Sequence, residues 1–143
     1  MSEALVALVT AAALGGIIGW ERETWQKPAG LRTHMMVALG AAAFTLLAMR
    51  TVGESSDPGR IVVGIATGIG FLGAGTIIQA RGEVRGITTA AGIWVVGAVG
   101  ACCGAGEFGI GVVAVALSVV ILTLLPRLEP GGKAPGAGKD PEP

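Results

Sequence analysis

The chain is divided into five long apolar blocks, and this arrangement limits what it can fold into more than any other feature. The blocks lie at about residues 4–20, 35–49, 61–80, 87–105 and 108–126, and few charged residues interrupt them. Only 14% of the residues are charged, against about 25% in a typical soluble domain. A membrane helix needs about 20 mainly apolar residues, so a lipid bilayer is the solvent that suits these blocks. The sequence therefore predicts an all-α integral membrane protein with about five transmembrane helices.

The distribution of basic residues predicts how these helices are oriented. The short second block is extended back to Leu31, because Pro28 and Gly30 provide a helix-breaking entry. An outside N-terminus leaves two of the ten basic residues, Arg50 and Arg60, outside the membrane and eight inside. The C-terminus is then cytoplasmic.

Composition divides the chain into a membrane domain and a tail. Residues 1–126 are predicted to form the transmembrane domain, and residues 127–143, rich in Gly, Pro and charge, a disordered cytoplasmic tail. The outer linker at 50–60 contains an Asp-Pro-Gly turn signature. The N-terminus lacks the positive region of a secretory signal, so it is expected to remain as the first membrane helix.

Charges are concentrated between the first two predicted helices. The stretch GWERETWQKPAGLRTH, residues 19–34, holds six ionisable side chains in sixteen positions. Glu21 and Glu23 need an explanation, because carboxylates close to the hydrocarbon usually have a partner. Arg22 and Arg32 are the candidate partners.

A second polar loop is predicted on the same side of the membrane. The stretch QARGEVRGITTA adds Arg81, Glu83 and Arg85. GLRTH at 30–34 and GITTA at 86–90 share a Gly-apolar-x-Thr core. If the first four helices form a repeat of two hairpins, these two motifs would lie close together. Chance similarity explains the shared core equally well. Threonines in both motifs are expected to cap helix N-termini that face the carboxylates.

The two loops define a candidate ion or polar site. Its side chains either form an ion-pair network or leave a carboxylate, Glu21 foremost, free to bind a metal such as Mg²⁺, which prefers oxygen ligands. His34 is a lone histidine, more typical of a helix-start hydrogen bond than of a metal ligand. The predicted site comprises Glu21, Arg22, Glu23, Arg32, Thr33, His34, Arg85, Thr88 and Thr89.

Glycines inside the apolar blocks predict close helix packing. The chain has 25 glycines, several of them at four-residue spacing, and small residues let two helix backbones approach each other in lipid. In the glycine-dense third helix, a local break that exposes carbonyls to an ion is the alternative. Because five helices cannot bury every such face, we expect a homo-oligomer, a dimer. The predicted packing positions are Gly15, Gly19, Gly64, Gly68, Gly70, Gly73, Gly75, Trp94, Gly100 and Gly104.

Several function classes are disfavoured. Ten basic residues balance ten acidic ones, so the charge gives no argument for a nucleic-acid partner. The sequence has no nucleophile elbow, phosphate-binding loop or paired metal-ligand motif, and the adjacent Cys102 and Cys103 suit packing. We therefore expect a protein that is not an enzyme.

Four ordered motifs within residues 10–110 resemble a known family. They are GIIGWERE, KPAGLRTHMMVALGAAAFTLLA, GIATGIGFLGAGTII and VRGITTAAGIWVVGAVGACCGAG, and in this order they are similar to the membrane domain of the MgtC/SapB family. The resemblance implies a bacterial inner-membrane protein of about five helices, linked to adaptation to low magnesium. For some members it also implies binding to the membrane part of the ATP synthase. Longer members continue into a soluble domain, so the resemblance is to the short, SapB-like form.

The resemblance also places family motif residues in this sequence. They coincide with the two polar loops and the glycine-dense helix. The matching positions are Glu21, Arg22, Gly30, Leu31, Arg32, Thr33, Gly68, Gly70, Gly73, Gly75, Arg85, Gly86, Thr88, Thr89 and Trp94.

Three functions remain open. The first is magnesium homeostasis with a cytoplasm-facing polar or ion-binding site. The second is an interaction protein that docks onto and regulates a larger membrane complex such as the ATP synthase. The third is a structural membrane scaffold.

Overall fold

The described residues form a bundle of five helices with one small hairpin. The computed structural model describes residues 1–51, 58–80 and 83–128. Two antiparallel strands, β1 (Ile78–Ala80) and β2 (Glu83–Arg85), connect the third helix to the fourth. The helices are α1 (Ser2–Thr24), α2 (Leu31–Thr51), α3 (Pro58–Ala74), α4 (Ile87–Gly104) and α5 (Phe108–Leu128).

This architecture confirms the predicted class of all-α membrane protein. Within the described ranges, α1, α2, α4 and α5 are long and apolar enough to cross a membrane, and α3 is a shorter apolar helix. Three predictions concern other parts of the chain. Most of the linker turn predicted at 50–60, the tail after residue 128, and Arg81 lie outside the described residues.

The end of α3 differs from the sequence prediction. The apolar block reaches residue 80, but the helix ends at Ala74 and the chain turns into β1. The carbonyl of Gly73 accepts hydrogen bonds from the backbone N–H of Thr76 at 2.9 Å and from its hydroxyl at 2.8 Å. The carbonyl of Ala74 accepts the N–H of Ile77 at 3.1 Å. These carbonyls are engaged in the turn, so the chain ends the helix here without a mid-helix break that would offer them to an ion.

Close backbone contacts at glycines join α1 to α2. A Cβ atom added to Gly15 would lie 2.7 Å from the carbonyl oxygen of His34 and 2.8 Å from the Cβ of Ala38. One added to Gly19 would lie 2.8 Å from the Cα of Leu31. The order of these contacts shows that α1 and α2 are antiparallel. Because a side chain would keep the backbones apart, glycine permits this contact.

The fourth helix packs against α2 in a parallel direction. A Cβ at Gly104 would lie 2.6 Å from the carbonyl oxygen of Ala42, and Gly100 meets the backbone of Ala38 one turn earlier. Since α4 also contacts α1, α3 and α5, it is the central helix of the bundle. The two helices that begin after the polar loops therefore run side by side in the same direction.

The core lies between α1, α2, α4 and α5 and is built mainly from small and β-branched side chains. Its fully buried members include Ala11, Ile18, Ala38, Val96 and Val99. Larger apolar side chains lie on the outside of the bundle, as a protein surrounded by lipid requires. Packing contacts rather than expulsion of water therefore stabilise the bundle within the membrane.

Not every predicted packing position is covered within the chain. At Gly64, Gly68 and Gly70 of α3, an added Cβ would meet no atom of the described ranges within 4 Å. Trp94 on α4 is 53% exposed. Gly73, by contrast, faces α4, where its Cβ would lie 3.3 Å from the carbonyl oxygen of Ala90.

The remaining predicted packing position, Gly75, lies in the turn after α3. Its added Cβ would meet carbonyls of α3 itself, that of Leu72 at 3.3 Å, and no other helix. The uncovered surface of α3 includes Gly64 and Gly68 together with exposed apolar side chains such as Val63 and Phe71.

Candidate functional site

The last turn of α1 holds a buried ion pair between adjacent residues. The Arg22 guanidinium engages both oxygens of the Glu21 carboxylate: Nε donates to Oε2, and Nη2 donates to Oε1 at 2.7 Å. Arg22 is only 4% exposed. This two-point contact is the strong geometry for an arginine and a carboxylate. Both Glu21 oxygens are committed to Arg22 in this arrangement, so a cation would have to displace the guanidinium to bind there.

A second carboxylate of the same turn stabilises the start of α2. Oε2 of Glu23 accepts the backbone N–H of Leu31 at 2.8 Å. The first N–H groups of a helix have no partner within the helix, and its N-terminus carries partial positive charge, so a carboxylate suits this place. Gly30 lies directly against Glu23, and a Cβ there would overlap the carboxylate.

His34 is the most unusual side chain of the site. It is fully buried, and Nδ1 lies 2.9 Å from the carbonyl oxygen of Gly30. Because a carbonyl only accepts hydrogen bonds, Nδ1 carries the hydrogen, and in a neutral imidazole Nε2 is then an acceptor. Among the residues that the structure describes, Nε2 has no hydrogen-bond partner. A buried acceptor without a partner is rare in native proteins.

Three helices enclose this imidazole. Gly15 and Gly19 of α1 lie against its backbone and Cβ, and Gly92 of α4 lies opposite Nε2, which would be 3.5 Å from a Cβ added to that glycine. Both Glu21 and Arg22 act electrostatically on the ring. We call Glu21, Arg22, Glu23 and His34 the polar cluster.

The second polar loop pairs its charges locally. Nη2 of Arg85 donates to Oε2 of Glu83 at 2.9 Å, and both side chains are exposed. In the described part of the chain, no ion pair joins the two loops. Arg32 is also exposed.

The expected threonine caps are not formed. The N-cap of α4 is Gly86, with φ of 92° and no side-chain cap, so Thr88 and Thr89 lie inside the first turn of the helix. Thr33 likewise follows the start of α2 and is exposed. Thr89 is buried and Thr88 exposed.

Sequence reasoning missed two parts of this arrangement. It gave Gly92 no role, because the contact with His34 depends on the parallel packing of α2 and α4. It paired Glu23 with arginine, whereas the carboxylate caps α2. The Pro-Ala-Gly entry into a helix, five to seven residues after Glu23, was a usable signal for a cap. In the described ranges, no cluster of three or more His, Cys, Asp or Glu side chains could hold a metal ion.

Fold and site together define a small helical membrane protein with a buried ion pair and an enclosed histidine where its first two helices meet. The sequence matches the MgtC family over residues 8–130, and the chain belongs to this family.

Two curated relatives illustrate the match. Protein MgtC of Salmonella typhimurium (strain LT2) is 48% identical over 104 residues, which cover 73% of this chain and 44% of the relative. Protein MgtC of Brucella abortus (strain 2308) is 42% identical over 125 residues, or 87% of this chain and 52% of the relative. The chain thus spans about half the length of the curated relatives it matches. No solved structure gives a significant match.

Proposed function

We propose that this protein is a non-enzymatic inner-membrane protein of magnesium homeostasis, and that the polar cluster is its ion-responsive site on the cytoplasmic side. Membership of the MgtC family supports the membrane and magnesium parts of this proposal. The family resemblance and the positive-inside bias support the location and orientation.

One observation carries the site: among the described residues, Nε2 of His34 is buried without a hydrogen-bond partner, at the end of the bundle that holds the Glu21–Arg22 ion pair. Ionisable and polar groups inside a membrane protein are costly, and they are kept where they serve transport, relay or binding. The cluster holds one buried acceptor without a described partner and a carboxylate held by a single arginine. Displacement of Arg22 by a divalent cation would release the guanidinium and alter the contact between α1 and α2.

Magnesium uptake by proteoliposomes tests this function. Purified full chain is reconstituted, and uptake is followed with an enclosed magnesium-sensitive dye. The informative variant is Glu21→Gln/Arg22→Gln, because removing both partners leaves no buried charge unpaired. We expect uptake by the unchanged chain, above that of empty vesicles, and its loss in the double variant.

The exposed pair of the second loop provides the matched control. Glu83→Gln/Arg85→Gln removes the same two charges from a pair with side chains 69% and 79% exposed, so uptake should persist. Uptake that is absent from folded, inserted protein, or equal in both double variants, rejects the polar cluster as the ion site.

A second candidate function is interaction with another membrane protein. The observation that favours it is the exposure of α3, where Cβ atoms added to Gly64, Gly68 and Gly70 would meet no atom of the described residues within 4 Å, and Gly64 and Gly68 share one side of the helix. The first two have the four-residue spacing that lets helices approach closely. A second copy of the chain, giving a dimer, is the simplest occupant, and the membrane part of the ATP synthase is the larger complex that the family resemblance suggests.

Leucine substitution separates the two functions. Gly64→Leu/Gly68→Leu fills the open surface without a clash inside the chain, so the protein should fold but lose its cross-linked dimer in native membranes. Gly40→Leu is the control, because that glycine also meets no atom within 4 Å but lies on α2. Loss of magnesium uptake with the α3 variant alone would favour the interaction function, whereas cross-linking that gives only monomer for the unchanged chain contradicts the dimer.

A further inference from the structure

A cavity lies at the end of the bundle opposite the polar cluster. Its volume is about 480 Å³, and it opens between the start of α1, the end of α2 and the turn that joins α4 to α5. This volume is within the range of about 300–1,000 Å³ that small-ligand sites occupy. We call it the end pocket.

The walls of the end pocket are mainly apolar. Val6 of α1, Leu46 and Met49 of α2 and Phe108 of α5 line it, with Cys103 of α4 among its buried residues. These residues belong to the ends of helices that can cross a membrane, so the pocket lies at the level where hydrocarbon meets lipid headgroups.

Two opposite charges occupy the lining. Glu3 contributes a carboxylate from the first turn of α1, and Arg50 contributes a guanidinium from the last turn of α2. Within the described ranges, neither side chain forms an ion pair with the other or with a third residue. The pocket therefore offers one negative and one positive group to an occupant, above an apolar wall.

We propose that the end pocket binds phosphatidylethanolamine. The phosphate of this lipid is matched by the Arg50 guanidinium, which donates hydrogen bonds, and its ammonium by the Glu3 carboxylate, which accepts them. The acyl chains are matched by Val6, Leu46 and Met49. A free headgroup would leave this apolar wall without a partner, so the occupant is the lipid itself.

Native mass spectrometry of the delipidated full chain, titrated with defined lipids, tests this assignment. Phosphatidylethanolamine should bind with higher affinity than phosphatidylglycerol, which has no ammonium group. Glu3→Gln/Arg50→Gln should weaken phosphatidylethanolamine binding about three- to tenfold, the range for two partly exposed charged contacts. Both side chains are exposed, so the variant should fold.

Glu107→Gln/Arg60→Gln is the matched control. It removes one acid and one base at the same end of the bundle but outside the pocket lining, and binding should not change. Equal binding of the two lipids, or unchanged phosphatidylethanolamine binding in Glu3→Gln/Arg50→Gln, overturns the proposal. Competition by free phosphoethanolamine as strong as that of the lipid overturns the lipid assignment.

The outcome is independent of the magnesium proposal, because the two sites lie at opposite ends of the molecule. If the lipid preference is not found, the magnesium proposal is unaffected, because the variants of the polar cluster test it separately.

Discussion

Replacement of His34 by leucine should stabilise the protein, although the residue lies at the centre of the candidate site. Nε2 is buried without a partner in the described part of the chain, and a buried group in this state costs about 1–3 kcal/mol. Leucine removes that cost together with one hydrogen bond, from Nδ1–H to the Gly30 carbonyl, which contributes about 1 kcal/mol. The Gly30 carbonyl keeps a second donor, the backbone N–H of His34 at 3.2 Å. The expected net gain is up to about 2 kcal/mol.

The free energy of unfolding, measured in mixed micelles by titration with a denaturing detergent, checks this value. Thr45→Val is the matched control, because Thr45 is also buried on α2 but its hydroxyl donates to the Ala41 carbonyl at 2.9 Å. Removal of a satisfied hydroxyl should cost up to about 1 kcal/mol. If His34→Leu loses more than Thr45→Val, then Nε2 has a partner in solution and the reasoning fails. Magnesium uptake should fall in His34→Leu despite its stability.

Three further predictions concern stability in the same assay. Gly15→Ala should lower the free energy of unfolding by about 1–3 kcal/mol, because a contact of 2.7 Å must open by about 0.7 Å to reach an ordinary 3.4 Å. Gly64→Ala, with open space around the added Cβ, should leave the free energy of unfolding unchanged. Equal effects of the two substitutions would contradict the close contact of α1 and α2. Glu23→Ala should cost about 1 kcal/mol through the lost hydrogen bond to the Leu31 N–H, and Glu23→Gln should recover most of it. Gly86→Ala should cost about 1–3 kcal/mol, because φ is 92° there; an unchanged unfolding midpoint would show that the chain adopts another turn.

The bounds of a helix could be predicted from the sequence where the helix begins or ends at a clear change of composition. The starts of α2 and α4 follow Gly30 and Gly86, and hydrophobic blocks set the remaining length. The predicted end of α3 was wrong because Gly75 is followed by Thr-Ile-Ile. This sequence is apolar enough to extend a membrane block and is also suited to a strand. Which of the two forms depends on pairing with residues 83–85, three to seven positions further along the chain, and a pattern of apolar blocks does not show strand pairing.

The candidate site was predictable where partners are close in sequence. Glu21 and Arg22 are neighbours on one helical turn, so pairing could be expected. That Nε2 of His34 faces α4 could not be predicted, because it depends on the direction in which α2 and α4 pack. The threonine caps failed for a local reason: Gly86 adopts a left-handed conformation, so α4 starts before Thr88 and Thr89 can act as caps.

The lengths of the helices have a consequence for the surrounding lipid. The third helix has 17 residues and, at 1.5 Å per residue, is about 26 Å long, whereas α1 with 23 residues is about 35 Å long. Against a hydrocarbon core of about 30 Å, α1 must tilt to fit and α3 is too short. Where α3 crosses the bilayer, the lipids beside it would be compressed more than those beside α1, and the bilayer around the protein would have a thin side. A neighbour with a similarly short hydrophobic belt relieves this compression, so membrane thickness itself would draw partners to the face that bears the open glycines.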